Sequence, residues 1–562
     1  MSKKSQNGAP AAAPRKPSQN EIARQLAPSF ASTLAFDSDT NEWRTYQNAI
    51  WTKAKKVHIQ QIIREAIHSR FTSDFSINFA QGVTQFLMGD LYVDKWDNEV
   101  CPDLIPFPNG TLNIRTREFT PSHDPMNRIT WQLPYDFNKD ATCPTIHKWL
   151  LEATNEDEEL IELIRAFFLS VLLGRYDLQR YMEIVGPGGS GKGTLLRLLM
   201  SMIGEPNYYT TTMDQLEKNR FETAAIQGKR LVMITDASKF GGDGSIFKSL
   251  TGQDPLRVEV KNRQQGDTFI YHGMVVIAAN SPIYFSDTSS AISRRRISVE
   301  FKHVVHISKR RNLSEDFEGE IPGLLNWVLA MDVNQMESML RNTDHLVKSS
   351  QDAKMATLIN TNPLIAWLSE NVEFSPEARV QVGALGVSSE SMFDLADSYL
   401  YPNFIRWCKQ NGRKGHSSTN TFSTQLEEVI TIILGVDGVE RKRQIRVPGE
   451  KTRSGFIGLK IVEGTENSIV EYAFKNEGLG SEVTESVDGA IAELAEELCT
   501  AMEYHTGVQG VVVSYVAKLL ATHPVKAARV ICQNLMENES NWTTDWLGSL
   551  EEKAKGKKTE TN

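Results

Sequence analysis

The residues most able to do chemistry lie between Tyr181 and Thr194, in the run Tyr-Met-Glu-Ile-Val-Gly-Pro-Gly-Gly-Ser-Gly-Lys-Gly-Thr. Gly186, Gly188, Gly189 and Gly191 permit backbone angles that turn N–H groups toward an anion. Lys192 follows them and can reach the terminal phosphates of a nucleotide, and the positive end of a following helix adds to the attraction. Gly186, Pro187, Gly188, Gly189, Ser190, Gly191, Lys192, Gly193 and Thr194 are therefore the candidate nucleotide-binding residues. In the usual pattern a Ser or Thr next to the lysine holds magnesium. Here Gly193 takes that place and Thr194 comes one residue late, so either Thr194 or water fills the role.

Three further groups could serve the same nucleotide. Lys229–Ala237 reads as a buried strand whose tip carries Asp236, and an acid there can hold magnesium and polarise an attacking water. Thr235 stands where a second acid often does, which leaves Asp236 alone. Met274–Asn280 reads as a second buried strand, with Asn280 placed to orient water near a γ-phosphate. Ala291–Val299 contains Arg294, Arg295 and Arg296, a triplet suited to a charge aimed at a neighbouring subunit's nucleotide. Arg294 or Arg295 is the candidate, because the apolar run Ile297, Val299, Phe301 draws Arg296 away. The candidate catalytic set is thus Lys192, Asp236, Asn280, Arg294 and Arg295, with Thr194 and Asp236 as metal ligands.

These groups need a scaffold, and the flanking patterns predict one. Met182–Val185 is a strand that feeds the glycine loop, and Leu195, Leu196, Leu198 and Leu199 carry the helix behind it. Phe247–Asp254 closes a helix, and Leu256–Tyr271 alternates on either side of a polar, Gly-containing tip, as a hairpin does. Upstream, Pro144–Glu152 and Glu158–Leu173 read as helices, the second apolar enough on several faces to sit in a core. Ile105–Ile114 reads as two strands around a tight Asn109-Gly110 turn. Helical spacing over Val57–Ile67 follows Trp43, Tyr46 and Trp51. The first 25 residues are rich in Ala, Pro, Ser and Lys and read as disordered.

Composition sets the outer limits. With 562 residues, the chain predicts about three or four domains. It is 40% hydrophobic and 23% charged, as ordinary globular proteins are. No apolar run is long enough to span a bilayer, so no membrane partner is expected. Five scattered cysteines, Cys101, Cys143, Cys408, Cys499 and Cys532, form no C-x-x-C pair, which argues against a zinc ribbon or disulfide framework and fits a reducing cytoplasm. A net charge of −9 leaves room for nucleic acid, since binding depends on local basic surface.

Taken together, Gly186–Thr194, Leu231–Asp236, Leu250–Pro255, Ala278–Asn280 and Ala291–Arg295 resemble superfamily 3 helicases. Within that group they look like the helicase half of phage, plasmid and poxvirus primase-helicases. Phe107–Leu112 and Pro134–Trp149 are similar to that family's N-terminal helicase-associated domain, and Ile321–Trp327 to its post-ATPase helix. Tyr401–Gly412 with Phe422–Leu426 resembles its C-terminal winged helix. The resemblance implies an α/β fold with an AAA+-like P-loop ATPase core, a mixed N-terminal helicase-associated domain and a winged-helix domain. It implies ATP and Mg2+ as cofactors and a homohexamer around single-stranded DNA, with the hairpin 256–271 lining the pore. Lys261 is the first candidate for the phosphate contact there and Arg263 the second; Arg257 either joins them or pairs with Glu259. The resemblance covers the helicase half and not the polymerase half, so it implies a separate primase or polymerase as partner, in the cytoplasm of a bacterial host or its equivalent. The activity implied is that of an ATP-dependent replicative DNA helicase of a phage, plasmid or mobile element. A nucleotide-stabilised origin-binding protein and a packaging or segregation motor without strand separation are the rivals.

The expected layout is a disordered tail over 1–35, the helicase-associated domain over 36–175, the ATPase over 176–310, a helical connection over 311–375 and the winged helix over 376–470. Basic residues follow the last of these: Lys409, Arg413 and Lys414, then Arg441, Lys442, Arg443, Arg446, Lys451 and Arg453. Residues 471–562 read as an acidic stretch, three helices (Ala490–Tyr504, Val511–Ala521, Val525–Met536) and a charged tail.

Overall fold

The computed structural model describes residues 17–475, apart from 39, 72–74, 95, 97–102, 236–239, 260–266, 286–289, 386–394, 414–417, 449–450 and 463–466. Asp236, Lys261, Arg263, Lys414, the first 16 residues and the helices expected beyond residue 475 lie outside the described residues. Two compact units divide the chain at Asn362 and Pro363.

The first unit starts earlier than composition implies. Residues 19–30, read as part of a disordered tail, form a helix, Gln19–Phe30, opened by a capping box in which Ser18 and Glu21 satisfy each other's backbone N–H. Ile22, Leu26 and Phe30 recur every four residues and bury one face against Ile59, Ile63 and Ile67 of Lys56–Arg70 and Val83 and Leu87 of Ile77–Asp90. The Pro- and Ser-rich segment before Gln19 masked this spacing in a compositional reading. Beside the helices lies a four-stranded sheet ordered Ile50–Ala54, Glu42–Gln47, Leu34–Asp37, Tyr92–Val93. Farther along, Leu104–Phe107 pairs with Gly110–Asn113 as a hairpin. Phe107 pairs with Gly110, so the turn is Pro108-Asn109, one residue before the expected Asn109-Gly110.

The centre of this unit is a five-stranded sheet in the order Arg296–Glu300, Tyr181–Val185, Met274–Ala279, Leu231–Thr235, Tyr208–Thr212, with every pairing parallel. Parallel strands covered on both faces read as continuous apolar runs, as Leu231–Ile234 and Met274–Ile277 do. Helix Glu158–Leu173 buries eleven of its sixteen residues in the core beside the sheet, which is why its apolar side chains point in almost every direction. Asp157 caps its start and Gly174, at φ +65°, ends it.

Residues 311–362, expected to be a connection, pack into the same core. Leu324, Leu325 and Val328 of Ile321–Leu329 join the cluster that holds Phe167 and Leu199. Arg165 donates from Nε to the Trp327 carbonyl at 2.9 Å and stacks 5.0 Å over its ring. Ser350 donates to the Ser298 carbonyl at 2.7 Å.

The second unit begins at Pro363, not at 376, because helix Pro363–Asn371 carries that unit's anchor. Trp367 is fully buried, meets Phe404 and Phe422 at 5.5 and 5.8 Å, and donates to Asn403 at 2.6 Å. The element sequence is helix, strand Val372–Gln381, helices Leu400–Gln410 and Thr419–Glu428, then strands Glu440–Ile445 and Arg453–Ile461. The last strand lies between the other two, antiparallel to both.

Among the described residues no helix is long and apolar enough to cross a membrane.

Candidate functional site

The strand Tyr181–Val185 delivers the chain into the loop 186–191, and helix Lys192–Ile203 carries it away. Gly189 and Gly191 stand at φ +89° and +102°, where a side chain is strained. The loop is braced from outside. A Cβ at Gly186 would come within 2.3 Å of the Phe301 carbonyl, and one at Gly191 would touch the Trp149 ring at 3.4 Å. Trp149 sits on helix Pro144–Thr154, so the segment upstream of the sheet helps to shape the loop.

Lys192 opens the helix, where first-turn N–H groups lack partners within the helix and the dipole is positive. Its ammonium donates to the carbonyls of Gly186 and Pro187, the latter at 3.0 Å, and to Asn280 Oδ1 at 3.2 Å. Partial burial pushes its pKa down. Lys192 and Asn280, both in the candidate catalytic set, are in contact, because the strands Tyr181–Val185 and Met274–Ala279 are neighbours in register. Loop, lysine and helix start form a cradle of donors that fits the phosphates of a nucleotide.

The metal side is less usual. Thr194 Oγ1 accepts from Arg197 Nη2 at 3.2 Å, and a Cβ at Gly193 would lie 3.4 Å from Arg197 Nη1. A guanidinium thus stands over the position where the usual hydroxyl would be. Thr194 keeps a second lone pair, and Asp236 directly follows the strand Leu231–Thr235, so hydroxyl and carboxylate are donors of the type magnesium takes.

The arginine triplet divides three ways. Arg294 is exposed. Arg295 is buried and donates from Nη1 to the Lys248 carbonyl at 2.8 Å and to Thr251 Oγ1 at 3.3 Å, beside Gly252, where a Cβ would collide at 2.7 Å. Burial, then the neighbouring Arg294, pushes its pKa down. Of the two candidates for a charge directed outward, only Arg294 is exposed.

Arg296 is drawn inward, into an ion pair with Glu183 of the loop strand at 3.0 Å. Arg296 Nε also donates to the Tyr181 hydroxyl at 3.0 Å, and Glu183 Oε1 accepts the Ile283 N–H at 2.7 Å. Burial alone would lower the Arg296 pKa, but Glu183 and Tyr181 carry it above the ordinary value. Burial raises Glu183 while Arg296 pulls it back. The net effect leaves the Glu183 pKa above the ordinary carboxylate value, with the Ile283 N–H and the Arg296 charge both favouring its ionised form. Sequence reasoning missed Glu183, although a lone charge inside Met182–Val185 was a signal that something in the core must answer it.

The hairpin strands Leu256–Val258 and Asp267–Phe269 pair as expected. Arg257 lies 3.4 Å from Glu259, which Arg220 also approaches at 3.5 Å.

Comparisons with known proteins bear on both halves of this unit. Residues 23–155 match the family described as D5 N terminal like, an N-terminal family of phage and plasmid primase-helicases. Residues 184–296, which hold the loop, Asn280 and the triplet, match a family of unknown function (DUF5906). Neither match spans half of the chain. An uncharacterized mitochondrial protein of Marchantia polymorpha, ymf20, is 28% identical over 132 residues, which cover 22% of this chain and 79% of that protein. Two solved structures of the NrS-1 C terminal region each align with 79% of this chain and all of their own, at 14% and 13% identity and TM-scores of 0.43 and 0.42.

Proposed function

We propose that this chain is the ATP-dependent replicative DNA helicase of a phage, plasmid or related mobile element, working as a hexameric ring on single-stranded DNA. The contact of Lys192 with the loop carbonyls and Asn280 carries the reading, because it brings a phosphate-neutralising cation and a water-orienting amide to one point. On binding ATP, Lys192 exchanges the Gly186 and Pro187 carbonyls for phosphate oxygens, and the loop N–H groups hold the same oxygens. Asn280 orients the attacking water. Magnesium, when bound, polarises the γ-phosphate; Asp236 holds it, with Thr194 or water completing the set. Arg294 acts on a neighbour's nucleotide, and Lys261, with Arg263 second, takes the DNA backbone in the pore.

The all-parallel sheet, with the loop strand between the Asn280 strand and the arginine strand, supports an AAA+-like core. The helix–strand–helix–helix–strand–strand order of the second unit supports the winged-helix reading. Exposed Lys442, Arg443, Lys451 and Arg453 give that unit a basic edge suited to phosphate contacts.

The test is ATP hydrolysis with and without single-stranded DNA, together with displacement of a labelled strand. We expect DNA to stimulate hydrolysis and Lys192→Ala to abolish it while the melting temperature holds. Stimulated hydrolysis without displacement would leave the packaging or segregation motor. Nucleotide binding without turnover would leave the origin-binding protein.

A further inference from the structure

Beyond the arginine strand the chain runs back over the phosphate loop. Phe301 N–H donates to the Val185 carbonyl at 2.8 Å and Val305 N–H to the Gly189 carbonyl at 3.1 Å. Arg310 follows. Its Nε donates to the Val305 carbonyl at 2.9 Å and its Nη2 to the Gly188 carbonyl at 3.2 Å. A Cβ at Gly189 would lie 2.1 Å from that Nη2, so the guanidinium fills the space a side chain would take. Gly189 is thus required twice, by its φ of +89° and by Arg310.

A guanidinium carries five N–H donors in a planar fork, and these two carbonyls use two of them. The remainder belong to an exposed residue and stand beside a loop already built to receive an anion. Paired N–H donors match phosphate oxygens better than a point charge does. The carbonyls of Gly188 and Val305 hold the fork in place, so little side-chain freedom is lost when it engages.

We propose that Arg310 is a phosphate-binding residue of the nucleotide site in its own subunit, its fork closing on the terminal phosphate of a bound nucleoside triphosphate. This rests on the nucleotide-binding reading of the loop and adds a second cation to Lys192. It differs from the role of Arg294, which is felt across a subunit boundary. A diphosphate leaves the fork on its carbonyls, so Arg310 distinguishes the nucleotide before hydrolysis from the one after.

The experiment measures binding of fluorescent ATP and ADP analogues to the full-length chain, as wild type, Arg310→Ala, Arg310→Lys and Lys192→Ala. Arg310→Ala should weaken ATP about tenfold or more, the loss of a hydrogen bond to a charged group, with ADP changed less than about twofold. Retained ADP binding also shows that the variant folds. Arg310→Lys should recover part of the ATP affinity. Equal weakening of ATP and ADP would mean that Arg310 only holds the loop, and no change in either would remove it from the site; both overturn the proposal while Lys192→Ala still upholds the loop. A wild-type chain that binds neither nucleotide would bring down the loop reading and this inference with it.

Discussion

The glycine loop and the arginine triplet are both short runs that stand out in the sequence, yet they behave in opposite ways. In the loop the backbone sets the geometry. Glycines at fixed spacing, a strand before and a helix after set where the N–H groups point, and Lys192 has little choice of direction. In the triplet the side chains decide, and three identical residues meet three fates: Arg294 faces solvent, Arg295 donates to the Lys248 carbonyl and the Thr251 hydroxyl of the Ser245–Gly252 helix, and Arg296 answers a buried carboxylate. Spacing predicts a backbone site. A side-chain site is decided by partners dozens of residues away.

The largest effect that tests this contrast concerns turnover. Arg294→Ala should lower DNA-stimulated hydrolysis about a thousandfold if it acts across a subunit boundary. A mixture of that variant with Lys192→Ala, each inactive alone, should regain some activity, since some interfaces then join an intact loop to an intact arginine. A dead mixture in which hetero-oligomers demonstrably form would place Arg294 outside the nucleotide site. Arg295→Ala should instead register as a lower melting temperature, because it strips partners from the Lys248 carbonyl and Thr251.

The same contrast explains how far the sequence could be read. The parallel core was legible because buried strands such as Leu231–Ile234 are uninterrupted apolar runs and the glycine loop fixes their context. The helix at Gln19–Phe30 was not, because a compositional window reached across the Pro-rich segment before it. Trp367 could not be assigned to the second unit from spacing alone, since its partners Phe404 and Phe422 come 37 and 55 residues later. Arg310 left no signal at all. It lies in a polar stretch with no period, and only the return of the chain over the loop gives it a role.

Breaking the third arginine should cost the fold. Glu183 and Arg296 are both buried in the sheet, Arg296 beside Tyr181. Arg296→Ala leaves the carboxylate without its counter-charge, a loss of about 3–5 kcal/mol. Denaturant unfolding of the variant measures it. Replacing both partners by apolar residues of similar volume, as in Glu183→Leu/Arg296→Met, should restore most of the stability. A double variant as unstable as the single one would show that Arg296 stabilises through Tyr181 or the Ile283 carbonyl instead.

The smallest effect follows a carboxylate whose role is also set from afar. Glu320 accepts the N–H of Thr145 at 2.9 Å and of Ile146 at 3.0 Å, capping helix Pro144–Thr154 from 175 residues away. Cys143, at the cap position itself, supplies no side-chain bond, so Glu320 takes that work. Partial burial works against the charge, but these hydrogen bonds prevail and hold the pKa below the ordinary carboxylate value. A depressed pKa means that the contribution is present above about pH 4.3, the unfolded value, and is lost as pH falls through the lower folded value. Glu320→Gln should therefore cost about 1 kcal/mol at neutral pH, a typical cap, and the wild-type and variant stabilities should converge in acid. Because the helix carries Trp149 against the loop, loosening it should also weaken nucleotide binding slightly. A variant that loses stability equally at every pH would assign Glu320 to packing, and the helix start would then depend on its own first turn.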